Sequence, residues 1–138
     1  MEAVKAKEVL AGKENEKLNV VEKVLEVVSP KLLSFSDWKG VDIRVGLIEL
    51  VEEIPNKDKL YKLSVDFGVE KRTVISGIKP FYAKSDLEGK KSPFVFNLAP
   101  AKIAGFISSA MILGAQTPDG KYKVFFVDSD VLLGTRIE

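Results

Sequence analysis

The chain has 138 residues with 21 Lys+Arg against 20 Asp+Glu, and it contains no His and no Cys. Such a length fits one domain plus an extension, and a body of about 100 residues buries a core without staples. The even charge balance excludes binding of nucleic acid by bulk basicity, and the missing His and Cys exclude a disulfide framework, thiolate chemistry and the usual zinc ligands. An enzyme would have to run on carboxylates, Lys, Ser or Tyr. No stretch approaches the roughly 20 apolar residues of a membrane span, and Met1 to Leu10 lacks the apolar centre of a signal peptide, so a cytoplasmic protein is expected.

Residues 1–33 are rich in Glu, Lys, Val and Leu, and no turn dipeptide interrupts them before Ser29-Pro30. Leu18, Val21, Val24, Leu25 and Val28 recur at spacings of three and four, which predicts a helix from about Asn15 to Val28. Ser29-Pro30 ends it, because proline pushes the preceding residue out of the helical region. Glu matches Lys on the polar face, which argues against membrane binding. The segment reads as a helical extension or linker that packs on its own domain or a partner subunit, or as the end of a longer parent chain. Ser36 to Gly40 forms a turn-rich joint in which Trp38 is expected to plug the core.

From Asp42 to Ile78 the chain packs three strand signals and two turns. Ile43, Val45 and Leu47 alternate with Arg44 and Gly46, and a second apolar set at Ile48 and Leu50 is out of phase, as a bulge or bend near Gly46 requires. Tyr61, Leu63, Val65 and Phe67 alternate with polar residues, so one set faces a core and the other water. Gly68 ends that strand, and Thr73, Val74 and Ile75 give a third run of β-branched residues. Lys79-Pro80-Phe81-Tyr82-Ala83 is expected to be a short helix, followed by a turn from Ser85 to Gly89. Phe94 to Phe96 form a fourth strand with Pro93 near its start, residues 97–105 a loop with two breakers, and Ala110 to Ala115 a fifth strand. Thr117-Pro118-Asp119-Gly120 turns the chain into a partner at Tyr122 to Val127. Short, turn-linked antiparallel strands with one helix between the third and fourth describe an all-β, five-stranded Greek-key barrel of the OB type, spanning 34–138 after the 1–33 extension. Such barrels bind single-stranded nucleic acid, oligosaccharide or protein.

The runs DIRVG (42–46), KDKLYKLSVDFG (57–68) and RTVISGI (72–78) are followed in order by Asn97-Leu98-x-Pro100, Ala104-Gly105 and Ser108-Ser109-Ala110-Met111. Together they resemble the tRNA-binding domain family, whose members include the appended domain and beta subunit of methionyl-tRNA synthetase and free-standing homodimers. The resemblance implies sequence-tolerant binding at the outer corner of tRNA, without chemistry, cofactor or metal, by a homodimer whose terminal segment helps build the contact. Ending at GTRIE, the chain looks unlike the cytokine-precursor branch, in which a further domain follows. The matching positions are Lys59, Ser76, Gly77, Asn97, Lys102, Ser108, Ser109 and Met111, whose side chains and backbone suit phosphate, sugar or base-edge contacts. The family often carries basic residues at the positions of Ala99, Ala101 and Ala104. Only Lys102 remains of that group here, which implies weak binding or a shift to Lys57, Lys59, Lys62, Lys71, Arg72, Lys79 and Lys84. Structural readings stand beside these: Asp42, Arg44 and Asp66 as an ion pair or turn caps, and Gly68 and Gly77 as residues needed for their backbone angles. The Lys102 to Phe106 run also resembles secretion-chaperone relatives, which implies peptide binding as the alternative. No phosphate loop, dinucleotide fingerprint or candidate triad is found.

Overall fold

A computed structural model describes residues 31–138, so the helix expected over 15–28 lies outside the described residues. The chain divides after Trp38 into two units, 1–38 and 39–138. A short helix α1 (Phe35–Lys39) begins where the Ser34 hydroxyl accepts the Asp37 N–H at 3.0 Å. Trp38, expected to be a core plug, is instead 38% exposed.

The second unit is mostly β. A long strand β1 (Ile43–Ile54) pairs antiparallel with β2 (Lys57–Asp66) through its second half and with β4 (Lys91–Val95) through its first. β3 (Lys71–Ser76) lies on β2, β7 (Met111–Ile112) on β4, and β10 (Arg136–Ile137) on the start of β1, giving the order β3-β2-β1-β4-β7 with β10 beside β1. Two small hairpins stand apart in the pairing: β5 (Ala101–Ile103) with β6 (Phe106–Ser108), and β8 (Gly114–Gln116) with β9 (Tyr122–Val124).

β1 can serve two sets of partners because it changes phase. The register with β2 shifts between Ile48 and Leu50, so Glu49 is the extra residue of a bulge. The bulge lies three residues beyond the expected point at Gly46, and it is Val51, not Leu50, that returns to the core. Gly46 serves a different need: a Cβ there would come within 2.5 Å of Val65 Cγ1 and 2.9 Å of Phe67 Cε1. The alternation read in β2 is borne out, with Tyr61, Leu63, Val65 and Phe67 all buried. Phe67 meets Phe94 and Phe96 edge-on, with ring centroids 5.4 and 5.0 Å apart.

Other boundaries differ for local reasons. The short helix between β3 and β4 is α2 (Lys84–Leu87), one turn later than expected. The Asp86 carboxylate accepts the Ala83 N–H at 3.0 Å and fixes the start there, buried Leu87 anchors the turn, and Gly89 ends it at φ 83°. β4 begins at Lys91, with Pro93 inside it. Val45, which faces Pro93, spends its own N–H and C=O on Thr135 and Gly134, so β1 asks nothing of the missing proline N–H. The expected fifth strand over 110–115 is split into β7 and β8, while the Thr117 to Gly120 turn is present, with the Gly120 N–H on Thr117 O at 3.0 Å.

The largest correction concerns 97–105, expected to be a loop. Its second half is the first strand of the β5–β6 hairpin, and Ala104-Gly105 is the two-residue turn, with φ of 53° and 86°. Both central residues of such a turn need positive φ, which alanine adopts only at a cost of roughly 1–2 kcal/mol.

The close approach at Gly46 makes a direct prediction. Gly46→Ala should lower stability by about 1–3 kcal/mol through overpacking against Val65 and Phe67, read as a shifted midpoint in urea denaturation at unchanged slope.

Candidate nucleic-acid interface

The β5–β6 hairpin is fastened to the edge of β3 by two serines. The Ser108 hydroxyl accepts the Ile75 N–H at 3.0 Å and donates to Ala110 O at 3.3 Å. The Ser109 N–H donates to Thr73 O at 3.0 Å. Ser108 is buried and both of its bonds are internal, so it positions the hairpin.

Two depressions flank that hairpin. One is a cleft of about 490 Å³ whose lining includes Ser76, Gly77, Ser108 and Met111, four of the expected site residues, together with Phe81 and Leu98. Phe81, Leu98 and Met111 are 40%, 46% and 46% exposed, and no lining residue carries a charge. The other is a polar groove of about 370 Å³ lined by Glu70, Lys71, Arg72, Thr73, Pro100, Ile107 and Ser109. Side chains alternate along a strand. Ala101 and Ile103 line the cleft, so Lys102 between them turns to the other face, beside its cross-strand partner Ile107 in the groove lining. The expected residues therefore fall on two sides of one element: Ser76, Gly77, Ser108 and Met111 on the cleft, Lys102 and Ser109 toward the groove.

Lys59 lies near the cleft through its backbone, since its carbonyl oxygen is the sole neighbour within 4 Å of a Cβ built at Gly77. Gly77 has no left-handed φ, so the backbone-angle reading holds for Gly68, at φ 86°, and fails for Gly77. Asn97 stands apart from both depressions. Its Oδ1 accepts the Asp42 N–H at 2.9 Å and its Nδ2 donates to Gly40 O at 2.6 Å, which pins the entry of β1 to the end of β4.

A cluster with no signature along the chain surrounds Phe96. The guanidinium carbons of Arg72 and Arg44 lie 3.6 and 4.0 Å from its ring centroid. Arg72 also donates to the carbonyls of Phe96 and Ser109, the latter at 3.0 Å, and pairs with Glu70 at 3.1 Å. Arg44 is held two-pronged by Asp42, as the structural reading expected, and the hydrogen bond to that carboxylate raises its pKa. The hydrogen bond from Arg72 holds the Glu70 carboxyl below the usual range. Asp66 caps a turn, accepting the Gly68 N–H at 2.8 Å.

The second set of cations is largely occupied. Lys71 pairs with Glu49, Lys79 and Lys84 pair with Glu53, and Lys62 lies over the Phe106 ring at 4.6 Å. Among the described residues Lys57, Lys59 and Lys102 are exposed and outside these ion pairs.

A family model described as "Putative tRNA binding domain" matches residues 43–136. The chain belongs to this family. This tRNA-binding domain is 44% identical over 105 residues to a methionine-tRNA ligase of Methanocaldococcus jannaschii, covering 76% of the chain and 16% of the ligase. A ligase of Methanococcus maripaludis is 35% identical over 137 residues, covering 99% of the chain and 20% of the ligase. The chain thus spans a fifth or less of these relatives. Among solved structures it resembles a MetRS related protein from Pyrococcus horikoshii, at TM-score 0.76 and 39% identity over 78% of this chain and 99% of that one. It also resembles the chaperone CsaA of Bacillus anthracis, at TM-score 0.70 and 28% identity over 78% of this chain and 100% of that one.

Ser108→Ala in this tRNA-binding domain should leave the buried Ile75 N–H without its acceptor and cost about 1–3 kcal/mol of stability. Ser109→Ala, which leaves backbone bonds intact, should change little, and thermal or urea unfolding of the two variants side by side checks the contrast.

Proposed function

We propose that the chain is a non-catalytic module that binds tRNA with little sequence preference and acts in the cytoplasm with a methionyl-tRNA synthetase, as its beta subunit or an appended domain. The family match across residues 43–136 carries this reading, and the methionine-tRNA ligase relatives name the synthetase. The fold supports it: bonds from Ser108 and Ser109, just ahead of β7, tie the far side of the sheet to β3, as closure of a five-stranded Greek-key OB barrel over residues 34–138 demands, with 1–33 as its extension. Binding would be weak and electrostatic, because Lys59 and Lys102 are the unpaired cations beside the expected site and most other lysines near it already face carboxylates. The homodimer belongs to the same reading. Phe125, Phe126 and Leu132 are exposed apolar residues of the C-terminal segment, available to a second copy.

The likeness to CsaA chaperones at 28% and 34% identity favours a second reading, a dimer that binds unfolded peptide. Titration against tRNA across a salt series separates the two. The tRNA reading expects log affinity to fall linearly with log salt, with a slope made shallower by about 0.7–0.9 in Lys102→Ala, one lost phosphate contact. A flat slope, or equal affinity for an unfolded peptide, would support the chaperone.

Sedimentation at micromolar concentration tests the assembly. Twice the 15.2 kDa chain mass is expected, with Phe126→Glu shifting the protein to the single-chain mass.

A further inference from the structure

The face-splitting of the β5–β6 hairpin gives its two sides different chemistry. On the groove side stand Lys71, Arg72 and, by alternation, Lys102, with Glu70 paired to Arg72 and Glu49 to Lys71. On the cleft side the walls are uncharged, and Phe81, Leu98 and Met111 keep 40–46% of their surface exposed. A cleft of about 490 Å³ falls within the roughly 300–1,000 Å³ typical of small-ligand sites. A phosphate entering it would shed water with no cation in the walls to replace it. A planar base would trade water for apolar contact, and the Ser76 hydroxyl and Gln116 amide in the lining suit its polar edge.

From this arrangement we infer that the hairpin divides RNA between its two faces: one unstacked nucleobase enters the apolar cleft while the adjoining ribose-phosphate lies on the opposite, groove-side face against Lys102, the cation there outside the ion pairs. The inference rests on the tRNA reading and deepens it, because it names what the cleft takes. It also accounts for the small residues Ala99, Ala101 and Gly77 on the cleft, since longer basic side chains there would fill the space a base occupies. Binding stays sequence-tolerant because every base offers a flat π-face. Nothing requires a partner chain or metal.

The test uses the full chain and three probes: unfractionated tRNA, an RNA stem-loop with an unpaired loop, and the same stem-loop with abasic loop residues that keep every phosphate. The abasic stem-loop should bind about 10-fold more weakly than its parent at an unchanged salt slope. Met111→Ala, at an exposed position, should erase that difference, while Lys102→Ala should keep it and flatten the salt dependence for both. Equal affinity for the two stem-loops, with tRNA still bound, overturns the base-in-cleft inference and leaves the tRNA reading standing. Failure to bind any RNA overturns both. Displacement of the base by an unfolded peptide with no abasic penalty would assign the cleft to polypeptide and overturn the inference.

Discussion

The constraint on which the rest depends is the dual duty of β1. One strand must hydrogen-bond β4 with its first half and β2 with its second, and the backbone can do this only where it bends and the side chains beneath it are absent. Gly46 removes the side chain at the crossover, so Val65, Phe67 and Phe94 close against bare backbone. The Glu49 bulge resets the phase three residues later, so that Val51 and Ile54 face inward as Ile48 does before it. With that bend in place, β2 and β3 follow on one half of β1 and β4 and β7 on the other, and the β5–β6 hairpin bridges to β3 through Ser108 and Ser109. The candidate interface is built on that bridge.

Locating the interface on a hairpin has consequences for charge. A two-residue turn with alternating strands sorts its side chains onto opposite faces, so neighbours in sequence such as Ala101 and Lys102 serve different surroundings. Ala104 stands where the turn needs a positive φ, which explains in structural terms why this position does more than hold a small side chain. Arginines that a contact-blind view would assign to phosphate are committed elsewhere: Arg72 and Arg44 bear on Phe96 and bond carbonyls and carboxylates, which ties the end of β4 to β3 and β1. The free cations near the site are lysines, whose point charges position a phosphate without fixing its geometry.

Several candidate residues were legible because their chemistry is local. Asp66 and Gly68 announce a turn, and the Asp42-Arg44 pair sits two residues apart where β1 begins. Asn97 was legible as a special residue, yet its amide reaches Gly40 and Asp42, more than fifty positions away, and no pattern in the chain points there. Ser108 and Ser109 look alike in sequence; one turns inward to bond Ile75, and the other lines the groove and bonds through its backbone. The hairpin over 101–108 is hidden in the sequence because Pro100 and Gly105 are breakers by propensity, and its strands of three residues are too short to show a period.

What the sequence determined by itself was the mostly β character, the inward set of β2, the sharp turns and the resemblance to the tRNA-binding domain family. These depend on alternation, glycine and proline positions and ordered motifs, all of which are properties of neighbours along the chain. Only the tertiary structure decided that β1 bends at Glu49, that Phe96 gathers two arginines, and that one hairpin separates an uncharged cleft from a polar groove lined by paired charges. Those outcomes rest on contacts between distant segments, where the space left by one side chain is set by another that the linear order does not place beside it.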